Sequence, residues 1–278
     1  MQRLRDSGKT LLGIGLGLAL TVAIGIVLQT LGGGGEAYAT PVGFALSAWW
    51  MYRWLEREKG WAVGWKGRRQ GERTLAGGAV GTVIVSLTVS LMLATGNVSL
   101  ESMPFEWRTI AGQAALFAAV AIGEEWFFRG YAYGVYRRSM SAFGAAVWSS
   151  IWFTSIHLIN PEAFERPAVF IAAEMGNIFL LSLLFAWARE RSGSLWMPVG
   201  MHFVVNGLQS TVFGFTNGGK ELPSLFRIAY HSETVWNGGG YGLESSLVYT
   251  PLLLGATVAA YVHLNRPRGR KASKGASS

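Results

Sequence analysis

The sequence contains no cysteine, and only 14% of its 278 residues are charged. The lack of cysteine excludes disulfides, thiolate metal ligands and a cysteine nucleophile. The scarcity of charge is equally informative, because soluble domains contain on average about 25% Asp, Glu, Lys and Arg. Hydrophobic residues make up 50% of the chain, and the mean hydropathy is +0.29. This composition indicates an integral membrane protein.

Eight apolar runs alternate with short polar connections along the chain. They cover approximately residues 11–31, 38–55, 75–95, 109–136, 141–159, 168–188, 194–212 and 246–264. A helix that crosses a bilayer needs roughly 20 apolar residues. We therefore predict an all-α, polytopic membrane protein with eight transmembrane helices around a buried polar cavity. Residues 1–265 are predicted to form a single integral-membrane domain, and the basic tail 266–278 a disordered cytoplasmic end.

The 24 Lys and Arg residues are unevenly distributed between the two ends of these runs. Nineteen lie in the N-terminus, the C-terminal tail and every second connection, four lie in the other connections, and Arg129 lies within a run. By the positive-inside rule, this distribution predicts a multi-pass protein of the cell (plasma) membrane with cytoplasmic N- and C-termini. Because the basic residues are spread over short connections and do not cluster on one folded face, no nucleic-acid partner is expected.

Two segments leave questions open. The basic start, the first apolar run and Ala37-Tyr38-Ala39 together resemble a secretory signal with its cleavage site. The run has about 20 residues, whereas the apolar region of a signal peptide has about 7–15. We therefore favour a first span that is retained. The connection 213–245 is glycine-rich and is the longest predicted outer segment, and its sequence indicates no role.

Three ionisable side chains, Glu124, Glu125 and Arg129, interrupt the fourth apolar run. Each charge at that depth costs on the order of 2.5–3.5 kcal/mol even on the mild insertion scale, so each is expected to have a partner or a function. Glu125 and Arg129 are four residues apart, share one face of a helix and are predicted to pair. Glu124 lies about 100° around the helix and has no partner in its own segment, which makes it the candidate general base.

His157 and His202 also lie within apolar runs. His157 ends the fifth run, and His202 precedes Asn206 by one helical turn in the seventh. At a rise of about 1.5 Å per residue, these three residues and Glu124 lie roughly 15–24 Å from the predicted cytoplasmic boundary. A carboxylate and an imidazole in one buried layer are suited to activate water, and a second imidazole and an amide to stabilise an oxyanion. The pattern therefore predicts hydrolysis of an acyl or peptide bond without a covalent intermediate.

The same side chains permit other interpretations. Glu124, His157 and His202 form a His₂Glu ligand set for zinc, although the His-Glu-x-x-His motif of helical zinc proteases is absent. The same carboxylates and histidines are also suited to a proton relay in a transporter, although no inverted repeat is evident. Glu174 and Asn177 in the sixth run are expected to form hydrogen bonds within the helix bundle and not to act in catalysis.

The motifs resemble those of the CAAX-protease and bacteriocin-processing (CPBP) family of intramembrane endopeptidases, which includes the Ras-converting CAAX prenyl endopeptidases. The pattern is Glu-Glu-x-x-x-Arg, then Phe-x-x-x-His, then His-x-x-x-Asn, each on its own membrane helix and in this order. The resemblance covers a catalytic core of approximately residues 110–210, and the matching residues are Glu124, Glu125, Arg129, Phe153, His157, His202 and Asn206.

The resemblance implies an eight-helix membrane fold with a catalytic cavity that opens towards the cytoplasm. The implied roles are activation of water by Glu124 and His157, stabilisation of the oxyanion by His202 and Asn206, and orientation of the first motif by Glu125 and Arg129. The family is often labelled as metalloproteases, but this mechanism requires no cofactor, so we favour it over the zinc alternative. The implied partners are the lipid bilayer and a membrane-embedded or lipidated protein or peptide substrate. A protein of the same fold that serves as a non-catalytic immunity or scaffold protein is a further alternative.

Overall fold

The structure is a computed structural model that describes residues 1–32, 35–104, 106–159 and 166–265. The α-helices are α1 Gln2–Thr30, α2 Ala39–Met51, α3 Gln70–Ala94, α4 Trp107–Glu125, α5 Tyr133–Arg137, α6 Ala142–His157, α7 Ala168–Ser192, α8 Trp196–Asn206 and α9 Tyr249–Asn265. Turns of π-helix extend α2 over Tyr52–Glu56 and α8 over Gly207–Val212, and Trp126–Ala132 joins α4 to α5. The described ranges thus contain eight continuous helices, which confirms the predicted helical class and helix number. The predicted tail 266–278 lies outside the described residues.

The lengths of the helices vary more than their apolar runs predict. Among the described helices, α1, α3 and α7 are long and apolar enough to cross a membrane by length and composition. By contrast, α6 has 16 residues and α9 has 17. The three long apolar helices agree with an integral membrane protein.

The first helix begins earlier than the apolar pattern predicts. The run starts near residue 11, but α1 starts at Gln2. The polar residues of its first turns have partners: Asp6 accepts hydrogen bonds from Gln2 at 2.9 Å and from Ser139 at 2.5 Å. Lys9 forms an ion pair with Glu56 at 2.6 Å. Because tertiary contacts satisfy these groups, the helix extends beyond its apolar part.

The segment 213–245, whose sequence indicates no role, is an ordered part of the fold. Its strand β2 (Phe226–Tyr230) pairs antiparallel with β1 (Val98–Ser102), with Leu100 opposite Ile228. Phe215 and Leu243 of this segment are fully buried in the same hydrophobic cluster as residues of α3, α7 and α8. The segment is therefore anchored on the helix bundle by apolar contacts at both of its ends.

Close contacts at two glycines position the helices that carry the motifs. A Cβ atom on Gly200 of α8 would lie 2.1 Å from the carbonyl oxygen of Thr74, so α8 and α3 are in backbone contact there. A Cβ atom on Gly123 of α4 would lie 2.2 Å from the carbonyl oxygen of Pro41. Small residues permit such approaches between membrane helices. Gly123 directly precedes Glu124, so the packing of α4 on α2 sets the position of that carboxylate.

Candidate active site

Glu125, Arg129 and His202 form a buried ionic cluster between α4, the π-helical turn and α8. Nη1 of Arg129 lies 2.9 Å from Oε1 of Glu125, which confirms the predicted pair. The same oxygen accepts a hydrogen bond from Nδ1 of His202 at 2.9 Å. Nη2 of Arg129 donates to Oγ of Ser182 on α7 at 2.8 Å. The cluster thus links α4, α7 and α8, and it fixes the His202 ring through the hydrogen bond at Nδ1.

The imidazole of His202 lies between two carboxylates. With Nδ1 bound to Glu125, Nε2 lies 3.9 Å from Oε2 of Glu124. The ring also stacks on Phe185, with centroids 5.1 Å apart and planes 25° apart. Packing and hydrogen bonding therefore fix the ring, with Nε2 on the side of Glu124.

His157 ends α6 and is held by its own helix. Its Nδ1 donates to the carbonyl oxygen of Phe153 at 2.8 Å, and the two rings lie 4.8 Å apart. Phe153 therefore packs beside His157, as its position in the motif indicates. In a neutral imidazole one nitrogen donates and the other accepts. With Nδ1 as the donor, Nε2 of His157 is the nitrogen that can accept a proton.

Asn206 lies at the end of α8 and is contacted by Gln209 one turn later. Nε2 of Gln209 is 3.4 Å from Oδ1 of Asn206 and donates to Oε1 of Glu244 at 3.1 Å. Glu244 belongs to a short 3₁₀ turn just before α9. The carbonyl oxygen of the Asn206 side chain thus faces Gln209, and within the described ranges its NH₂ group donates to no other side chain or backbone group.

Hydrogen bonds to two residues of α7, Glu174 and Asn177, fix the turn that carries Glu244. Asn177 on α7 donates to the backbone carbonyl oxygens of Glu244 and Ser246, both at 2.8 Å. Glu174, one turn earlier, accepts a hydrogen bond from Ser245 at 3.2 Å and forms an ion pair with Arg166. Glu174 and Asn177 thus make hydrogen bonds within the bundle, as predicted.

One cavity of about 90 Å³ joins these groups, and the four predicted catalytic residues all line it: Glu124, His157, His202 and Asn206. Glu174, Glu244 and Asn217 complete its polar lining. A cavity needs a volume of roughly 10–15 Å³ to hold one water molecule, so the cavity of about 90 Å³ can hold several. Ligand sites have volumes of about 300–1,000 Å³, so a peptide would have to displace part of the wall. Glu244 and Asn217 place the segment 213–245 in that wall.

The sequence did not predict two polar residues of the site, Gln209 and Glu244. Gln209 lies in an apolar run three residues after Asn206, and Glu244 lies two residues before the last run. A position near the motif is the only sequence signal for Gln209. For Glu244 there is none, since its contact with Gln209 joins residues 35 positions apart.

The predicted zinc alternative requires Glu124, His157 and His202 as ligands. Within the described ranges, no group of three or more His, Cys, Asp or Glu side chains is placed to hold a metal ion. Structural and catalytic zinc sites use at least three protein ligands. The geometry of the described residues therefore does not fit a three-ligand zinc site.

Two of the three π-helical turns in the described ranges lie at a motif. One begins after Glu125 and contains Arg129, and the other begins after Asn206 and contains Gln209. Such turns are rare and are frequently found at functional sites. They place two polar side chains of the site, Arg129 and Gln209, on stretches that depart from regular α-helix.

Comparison with known proteins gives one match. Residues 106–208 match the family model described as Type II CAAX prenyl endopeptidase Rce1-like. The match contains the three motifs and ends two residues after Asn206. No curated protein matches the sequence. Residues 106–208 therefore match an Rce1-like domain, and this match supports the resemblance to the CAAX-protease and bacteriocin-processing family of membrane endopeptidases.

Proposed function

We propose that this protein is an intramembrane endopeptidase that hydrolyses a peptide bond of a membrane-embedded or lipidated protein or peptide. The observation that carries the proposal is the shared cavity of about 90 Å³, which brings Glu124, His157, His202 and Asn206 together from three helices. An intramembrane ionisable residue is a functional candidate by default. Here a carboxylate, two imidazoles and an amide line a space of the size that holds water.

In the first step, Glu124 and His157 activate the water. One of its protons passes to the carboxylate of Glu124 or to Nε2 of His157, and its oxygen bonds to the carbonyl carbon of the substrate. General base catalysis of this kind contributes about 10²–10⁴-fold in rate. The proton then passes to the amide nitrogen as the C–N bond breaks, so that an acid and an amine leave.

In the same step, His202 and Asn206 stabilise the negative charge on the carbonyl oxygen. Asn206 donates from its free NH₂ group. His202 donates from Nε2, which requires a doubly protonated ring because Nδ1 already donates to Glu125. Fixed donors directed at a developing oxyanion stabilise the transition state without reorganisation.

Gln209 and Glu244 position the donor amide. A carboxylate only accepts hydrogen bonds, so Glu244 directs the NH₂ group of Gln209 towards itself and towards Oδ1 of Asn206. This turns the NH₂ group of Asn206 away from Gln209. The segment 213–245, to which Glu244 belongs, would thus contribute to the site.

The proposed placement in the membrane follows the distribution of charge. The protein would be a multi-pass protein of the cell membrane with both termini in the cytoplasm, as the positive-inside rule predicts. The bilayer and a lipidated or membrane-embedded substrate would be its partners. No metal or other cofactor takes part in the proposed steps.

The proposal is tested by cleavage of lipidated peptides and membrane-protein segments by the purified protein in detergent. Glu124→Gln should abolish cleavage, since the amide cannot take a proton from water. Glu124 makes no hydrogen bond in the described part of the chain, so the variant should fold like the wild type, which thermal unfolding would check. Glu221→Gln, an exposed carboxylate in the segment 213–245, serves as the control and should retain activity.

Equal cleavage by wild type and Glu124→Gln would disprove the assigned role. Absence of cleavage by the wild type over a broad panel of lipidated and membrane-embedded substrates would favour the scaffold alternative.

A further inference from the structure

A second cavity, of about 410 Å³, lies at the opposite end of the bundle from the segment 213–245. It is formed by the end of α2 with its π-helical turn, the connection after it and the beginning of the π-helical turn after α4. Three cations and three indoles line it: Arg53, Arg57, Lys66, Trp49, Trp65 and Trp126. We call it the basic pocket.

The backbone of residues 62–64 forms the floor of the basic pocket, and hydrogen bonds hold it in place. Nη2 of Arg189 donates to the carbonyl oxygens of Ala62 at 3.1 Å and Val63 at 3.0 Å. The backbone N–H of Leu195 donates to the carbonyl oxygen of Gly64 at 3.0 Å. Gly64 has a φ of +109°, and a Cβ atom there would lie 2.8 Å from the guanidinium carbon of Arg189. A fourth cation therefore packs directly behind the floor.

The aromatic wall is also preformed. The Trp65 ring makes edge contacts with Trp126 at 5.3 Å and with Trp196 at 5.2 Å. Trp196 in turn donates from Nε1 to the carbonyl oxygen of Trp65 at 3.0 Å. Edge-to-face packing of this kind fixes ring orientation. Contacts within the protein thus fix the aromatic wall of the pocket.

The three lining cations are exposed, and none forms an ion pair in the described ranges. No acidic residue lines the pocket. Other cations at this end of the bundle have ion-pair partners: Arg138 pairs with Glu56 at 2.5 Å, and Arg137 with Glu190 at 3.2 Å. The basic pocket therefore concentrates positive charge that no ion pair among the described residues balances.

We propose that the basic pocket binds the phosphate group of an anionic phospholipid. Guanidinium groups match phosphate oxygens in geometry and charge, and indoles are typical of the level of the headgroups at a membrane interface. Basic pockets between membrane helices are suited to anionic headgroups. The volume of about 410 Å³ falls within the range of small-molecule sites, about 300–1,000 Å³. The proposal does not depend on the peptidase activity.

The test measures binding of phosphatidylglycerol to the full chain in a neutral detergent, by the shift of its thermal unfolding and by lipid retention in native mass spectrometry. Phosphatidylcholine and inorganic phosphate are the comparison ligands. The pocket variant carries Arg53→Ala, Arg57→Ala and Lys66→Ala. The control carries Arg3→Ala, Arg5→Ala and Arg68→Ala, which remove the same charge from exposed positions that do not line the basic pocket.

We expect phosphatidylglycerol to stabilise the wild type and the control, and to bind the pocket variant roughly 100-fold more weakly. If the triple variant does not fold, phosphatidylglycerol binding is measured with the single variants Arg53→Gln, Arg57→Gln and Lys66→Gln. These variants change only exposed side chains, and each should bind the lipid more weakly than the wild type does. If phosphatidylglycerol bound the control variant as weakly as the pocket variant, the lipid would be attracted to the overall positive charge and not to the basic pocket. This result would overturn the proposal. Equal stabilisation by phosphatidylcholine would overturn it as well. Stabilisation by inorganic phosphate at the same concentration would replace the lipid by a soluble phosphate ligand.

Discussion

Nδ1 of His202 and Oε1 of Glu125 are hydrogen-bonded at 2.9 Å, although 77 positions separate the two residues. The same oxygen is paired with Arg129, so one buried carboxylate oxygen receives both donors. The neighbouring Glu124 instead faces the cavity. Two adjacent glutamates thus differ in their surroundings: Glu125 is bound within the ionic cluster, and Glu124, the proposed base, lines the cavity.

This relationship predicts the effect of removing Arg129. Arg129→Met should lower the free energy of unfolding by about 3–5 kcal/mol, because it leaves the carboxylate of Glu125 buried without its cation. The double variant Glu125→Gln/Arg129→Met removes both charges and should recover part of the loss. Denaturant unfolding in detergent, followed by tryptophan fluorescence, measures the coupling as a double-mutant cycle.

Arg137→Met is the control for this cycle, since Arg137 pairs with Glu190 at a partly exposed position. Exposed pairs contribute about 0–1 kcal/mol, so its effect should be small. A loss in the double variant equal to the sum of the losses in the single variants Glu125→Gln and Arg129→Met would show that the charges of Glu125 and Arg129 are not coupled.

A second prediction concerns metal. Cleavage by the wild type should be unchanged in a strong chelator, because the proposed steps use only a carboxylate, two imidazoles and an amide. A zinc-dependent protease in the same detergent serves as the control and should lose its activity. Loss of cleavage that added zinc restores would instead support the ligand set Glu124, His157 and His202.

A third prediction concerns the positioning of Asn206. Glu244→Ala should lower kcat about tenfold with little change in KM, less than the 10²–10³-fold effect of removing an oxyanion donor. Glu244→Gln keeps an oxygen that accepts from Gln209 and should retain most of the activity. Steady-state kinetics with one defined substrate would measure both variants.

Gln209→Glu sharpens this test, since it removes the NH₂ donor and should be impaired like Glu244→Ala. If Glu244→Gln is as impaired as Glu244→Ala, the charge of Glu244 is required and its hydrogen bond does not explain the effect.

A fourth prediction concerns the contact of α4 with α2. Gly123→Ala should destabilise the protein by about 1–3 kcal/mol, the usual cost of overpacking, because its Cβ would meet the backbone of Pro41. It should also reduce cleavage, since Glu124 is the next residue. Thermal unfolding and the cleavage assay would measure the two effects.

Gly112→Ala on the same helix is the matched control, because a Cβ there has nothing within 4 Å. Alanine favours a helix over glycine by about 1 kcal/mol, so this variant should be neutral or slightly stabilised. Equal destabilisation of both variants would contradict the close contact at Gly123.

The helical class and the number of helices were predictable, because both depend on local properties. A run of apolar residues between basic connections predicts a membrane helix wherever it occurs. The Glu125–Arg129 pair was predictable for the same reason, since helical geometry alone brings residues four apart together. Helix ends were less predictable: α1 extends to Gln2 because Glu56 and Ser139 pair with its polar residues.

The amino-acid sequence by itself determined that this is an α-helical membrane protein, and it indicated Glu124, His157, His202 and Asn206 as residues of one polar layer. Only the tertiary structure decided that Glu125 contacts His202, that Glu244 reaches Asn206 through Gln209, and that the segment 213–245 lines the cavity. The physical reason is the range of the contacts. Periodicity and charge describe each helix separately, whereas these contacts depend on how helices and connections far apart in the chain pack together.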